Sequence, residues 1–135
     1  MTQEDKELLL KDLCARLPYG VMMGNRKDNT SYRLTGHDIE DAEFDDDFDD
    51  LPYLRPMSSM TDEERKELKF ILREKSFAID CHNELIIYTN PEYDCDHYFS
   101  DFYEVQDWLN AHYFDYRGLI EKGLAIEAPE GMYEV

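Results

Sequence analysis

Cys81-His82 and Cys95-Asp96-His97 place four zinc-type ligands in the second half of the chain. Thiolates and imidazoles are the side chains that Zn²⁺ prefers, and a hairpin between the two groups would bring Cys81, His82, Cys95 and His97 together. Adjacent residues on a strand face opposite ways, so all four meet only if Cys81 or His82 lies in a bend. The spacing is not that of a zinc finger. Cys95 and His97 also have the makings of a thiol and base pair, since a cysteine nucleophile needs a neighbour that favours its thiolate. The other histidines, His37, His82 and His112, are scattered, and the chain lacks a glycine-rich phosphate loop, a Gly-x-Ser-x-Gly elbow and a His-Glu-x-x-His helix. The sequence therefore reads as non-enzymatic, with no cofactor implied.

Carboxylates are the more telling chemistry. From Asp38 to Asp50, nine of thirteen residues are acidic. Asp45, Asp46, Asp47, Asp49 and Asp50 offer the oxygen ligands that calcium or magnesium takes, but the run lacks the alternating ligands, turn glycine and closing glutamate of an EF-hand. Nonspecific cation binding is the ceiling. Phe44 and Phe48 stand four apart inside the run, with Ile39 five positions before Phe44, so a helical segment would gather the three on one face. Charge that draws a basic surface near, with rings that supply the desolvated contact, is a recurrent way of building an interaction element. Ile39, Phe44, Asp45, Asp46, Asp47, Phe48, Asp49 and Asp50 are thus the expected partner-binding residues. The competing reading folds both rings back onto the protein's own core.

The whole chain carries the same sign: 32 Asp and Glu against 14 Lys and Arg, a net charge of −18 over 135 residues. Such a field opposes direct contact with nucleic acid or an anionic membrane and favours basic partners. A second stretch, Ser76 to Tyr116, contains no Lys or Arg. Eighteen aromatic residues argue against wholesale disorder and for an aromatic-rich core. No stretch approaches the roughly 20 apolar residues of a membrane helix, and the start, Met1-Thr2-Gln3-Glu4-Asp5, is acidic where a signal peptide is basic. A cytoplasmic protein is expected. Three cysteines without a framework spacing read as reduced thiols, with Cys14 a small packing residue in a helix.

The elements that must position these residues follow from caps and periodicity. Thr2 with Asp5 three residues on forms a capping box, opening a helix to Leu17 with Leu9, Leu10, Leu13, Cys14 and Leu17 facing inward and Arg16 on the wet side. Val21-Met22-Met23 and Thr30 to Thr35 read as a hairpin across a turn-rich loop. Residues 36–57 read as an acidic mobile loop followed by an extended connector, Leu51 to Met57, because of its two prolines. Thr61-Asp62-Glu63-Glu64 caps a helix to Lys75 with Leu68, Ile71 and Leu72 as its stripe. Phe77 to Ile79 and Glu84 to Thr89 suggest a second hairpin around His82-Asn83. Ser100 caps a helix to Ala111 with Phe102, Val105, Trp108 and Leu109 on one face, and Asp115 to Lys122 reads as a shorter helix closed by Gly123. Leu124 to Pro129 reads as an edge strand. The fold class expected is α+β: one compact domain, 1–135, with about four helices and one or two short antiparallel hairpins.

The string from Trp108 to Ala125, the opening Met1 to Val21, and Tyr53-Leu54-Arg55-Pro56-Met57-Ser58-Ser59-Met60-Thr61 resemble a group of small uncharacterised bacterial proteins carried by gut anaerobes and their mobile elements. The resemblance covers a little under half the chain and implies no activity, cofactor or catalytic residue. It implies that the shared ends form a scaffold and that the middle carries recognition. The expected function is an acidic accessory protein that binds a basic protein surface. The alternatives are a nucleic-acid mimic that occludes a DNA- or RNA-binding protein, which needs carboxylates in rows at phosphate spacing, and a small metal-binding protein.

Overall fold

The computed structural model describes residues 2–25, 27–41, 50–72, 76–79, 85–88 and 102–133. Helix α1, Gln3–Arg16, starts at the expected cap. Thr2 Oγ1 accepts the Asp5 N–H at 3.0 Å, and Asp5 Oδ2 accepts the Thr2 N–H at 3.2 Å. Leu9 and Leu13 are fully buried, but three other side chains depart from the expected stripe. Cys14 is exposed, so it does not serve as a packing residue. Leu10 is 38% exposed, and Arg16, expected in water, is completely buried beside Asp12. A 3-10 turn, Leu17–Tyr19, and Gly20 at φ 71° end the helix, a left-handed position suited to glycine.

Six strands are defined among the described residues: β1 Met22–Asn25, β2 Ser31–Arg33, β3 Asp50–Leu54, β4 Ser76–Ile79, β5 Leu85–Tyr88 and β6 Ile126–Glu127. Both expected hairpins form, β1 with β2 and β4 with β5, each antiparallel. The four-stranded sheet has the order β2-β1-β3-β6, antiparallel except for the parallel pairing of β3 with β6. Residues 51–54 are therefore not a connector but part of an interior strand.

Pro52 is tolerated there for a reason that the alternation of a strand supplies. The Leu54 carbonyl accepts the Ala128 N–H on the β6 flank at 2.8 Å, so Pro52, two residues earlier, turns its backbone to that same flank. There β6 pairs only with Tyr53 and Leu54, and the missing N–H removes no ladder bond. Gly24 of β1 lies under the Tyr53 ring. A Cβ at that position would stand 2.5 Å from the ring, so glycine is needed for close approach.

Three further α-helices are defined among the described residues: α2 Gly36–Asp41, α3 Asp62–Leu72 and α4 Phe102–Ala111. The expected capping box opens α3, with Glu64 N–H donating to Thr61 Oγ1 and Thr61 N–H to Glu64 Oε1. The expected helix from Asp115 to Lys122 is absent. Gly118 at φ 71° breaks the right-handed path three residues in, and the chain makes successive turns that end at Gly123, φ 73°. An α+β architecture is thus what the chain adopts, and no helix among the described residues is long and apolar enough to cross a membrane.

The chain groups into two compact units, Met1–Leu54 with Leu119–Val135, and Arg55–Gly118. The core of the first contains Leu9, Leu13, Val21, Met23, Leu34, Leu51, Leu54, Leu119 and Leu124. The second is built on Met57, Met60, Leu68, Val105, Trp108, Leu109 and Phe114.

Candidate functional site

The acidic run begins at a local helix cap and ends in the sheet of the first unit. At its start, Thr35 donates to Asp38 Oδ2 from both its backbone N–H and its hydroxyl, each at 2.8 Å, and this cap opens α2. Ile39 is half-buried on that helix. At its end, Asp50 begins β3 with both carboxylate oxygens bonded: Asn25 Nδ2 donates to Oδ1 at 2.5 Å and Tyr32 Oη donates to Oδ2 at 2.8 Å.

Asn25 itself is held by the hairpin turn, where its Oδ1 accepts the N–H groups of Lys27 and Asp28. Asp28 in turn accepts from the Thr30 N–H and hydroxyl, which keeps its carboxyl below the usual range. Tyr32 is bonded to one end of the run and feels the charge of the other. Burial, the hydrogen bond to Asp50, and the charges of Asp50 and Asp38 together push its phenol far above the ordinary range. It stays a neutral donor to Asp50 at any physiological pH.

Of the residues expected to meet a partner, the structure therefore places Ile39 on α2 and ties Asp50 into the sheet. Asp50 is committed to internal bonds and is an anchor before it is a contact. Phe44, Asp45, Asp46, Asp47, Phe48 and Asp49 lie outside the described residues, as do Cys81, His82, Cys95 and His97. No group of three or more His, Cys, Asp or Glu suited to a metal ion occurs among the described residues. Asn25 and Tyr32 are the neighbours of the run that the sequence did not point to. Asn25 carried a turn signal, but nothing in the sequence pairs either residue with Asp50.

The second unit holds a different constellation. Arg55 grips Glu64 through two nitrogens, Nη1 to Oε2 at 2.8 Å and Nη2 to Oε1 at 2.7 Å, and lies 4.2 Å above the Phe114 ring centre. Burial alone would raise the Glu64 pKa, but the Arg55 bonds, the Thr61 cap and the guanidinium charge outweigh it and hold the carboxyl below its usual range. His112 stacks on Trp108 with centroids 4.1 Å apart and bonds the Trp108 carbonyl through Nδ1. These contacts brace α3 and α4 around a shared core, and they account for the arginine in structural terms. Set against protein-family models, curated proteins and solved structures, the chain matches none of them.

Proposed function

We propose that this is a non-enzymatic acidic interaction protein of bacterial or mobile-element origin, whose segment from Asp38 to Asp50 binds a basic protein surface. The observation that carries the reading is nine carboxylates in thirteen residues, anchored at Asp50 to the sheet of one folded unit. Asp45, Asp46, Asp47 and Asp49 supply the attraction in this scheme, Phe44 and Phe48 the apolar contact, and Asp50 the attachment.

The test is capture of partners from host lysate on the full chain, followed by titration of the purified basic partner. Affinity should fall about tenfold or more between ~50 and ~300 mM salt. The Asp45→Asn, Asp46→Asn, Asp47→Asn, Asp49→Asn variant, which spares the Asp50 bonds, should lose a similar factor. Unchanged affinity in that variant removes the reading. Displacement of the partner by duplex DNA would replace it with nucleic-acid mimicry.

A further inference from the structure

The β1–β3 ladder runs through Asn25 opposite Asp50, Gly24 opposite Leu51 and Met23 opposite Pro52. Continued by one step, it would set Met22 opposite Tyr53. A direct bond from the Met22 N–H to the Tyr53 carbonyl belongs at that step, because the backbone of Tyr53 faces the β1 flank when that of Leu54 faces β6. The Tyr133 hydroxyl stands in its place. It accepts the Met22 N–H at 2.9 Å and donates to the Tyr53 carbonyl at 2.7 Å.

The segment that delivers this hydroxyl first grips the opposite flank of the same strand. Ile126 and Glu127 pair with Tyr53 and Leu54, and the Ala128 N–H bonds the Leu54 carbonyl. A turn then closes from the Met132 N–H to the Pro129 carbonyl at 3.1 Å, with Gly131 at φ 85°. Two successive carbonyls of β3, pointing to opposite sides, are thus held by one eight-residue stretch that crosses the strand. Its ladder with β3 is short, a two-residue parallel pairing continued by one backbone bond, and Pro129, Glu130 and Gly131 are exposed.

We propose that residues 126–133 form a releasable clasp that opens as a unit and, through the Tyr133 hydroxyl, closes the seam between β1 and β3. Segments with few buried contacts and short ladders open locally at free energies well below global unfolding. Opening here frees one N–H and one carbonyl at the end of the seam, a donor and an acceptor that a single hydroxyl bridges when the clasp is closed. The clasp does not depend on what the acidic run binds.

Amide hydrogen exchange on the full chain tests it. Tyr133→Phe keeps the ring and removes only the hydroxyl, and it should speed exchange at both Met22 and Ala128 by about tenfold. Exchange at Leu34, whose N–H bonds the Val21 carbonyl on the other flank of β1, should hold its rate. Gly131→Ala strains the turn without touching the hydroxyl and should speed the same two amides. Acceleration confined to Met22, equal acceleration at Leu34, or an unaltered Ala128 in both variants would each overturn the clasp.

Discussion

Arg16 keeps a guanidinium wholly out of solvent, with Asp12 one helical turn earlier among its partners, Oδ2 2.8 Å from Nε. Pairs four apart on α1 are visible in the sequence, but so are solvated ones, and the spacing does not say which pair is buried. The same limit applies to Asp50. It was readable as one more carboxylate of a run, while its two bonds depend on strands brought beside it by the sheet. Removing one member of a buried pair strands the other, whereas replacing both with apolar groups does not. Asp12→Ala should therefore cost about 3–5 kcal/mol in denaturant unfolding, and Asp12→Ala with Arg16→Met should recover most of it. Equal losses in the two proteins would mean that the guanidinium is stabilised by something other than Asp12.

Helices α1 and α3 were readable from local start signals. Residues 36–41, expected as mobile loop, instead form α2 behind the Thr35–Asp38 cap, because the acidic run masked an equally local signal. Elements defined by distant partners were not readable. Both capping boxes open helices where Thr2 and Thr61 place them, because a cap is made within four residues. Strand β3 was hidden by Pro52, whose harmlessness depends on where β6 begins, and the turns after Asp115 were hidden by a glycine that reads equally as a terminator. Helix α3 allows its cap and its ion pair to be separated, since Gln at position 64 can keep the capping box while losing the charge. Glu64 has a lowered pKa in the fold, so the unfolded chain binds the proton more readily. Its contribution is complete above the ordinary glutamate pKa and is lost as pH falls through the folded value. The melting temperature of wild type should accordingly drop more steeply than that of Glu64→Gln as pH is lowered through the acidic range. Parallel curves would show that the Arg55 pair adds nothing to the pH dependence.

For the molecule as a whole, the question is how a chain with a net charge of −18 stays folded. The segment Arg55–Gly118 is inserted between β3 and Leu119, and its two ends are stitched side by side: the Arg55 N–H bonds the Tyr113 carbonyl and the Asp115 N–H bonds the Arg55 carbonyl, each at 2.8 Å. Those bonds are indifferent to charge, whereas the surplus carboxylates repel one another over distances comparable with the Debye length. Salt acts in two directions here. It screens the repulsion among many solvated carboxylates, and it weakens attraction in pairs such as Arg55 with Glu64, which is mostly shielded from solvent and so is screened less. Repulsion is the larger quantity, so raising salt from ~20 to ~300 mM should raise the melting temperature by about 3–6 °C. The variant with Asn at 45, 46, 47 and 49 should start higher at low salt and respond less. A melting temperature that falls with salt in wild type would mean that ion pairs, and not repulsion among the acids, dominate the electrostatics of the folded chain.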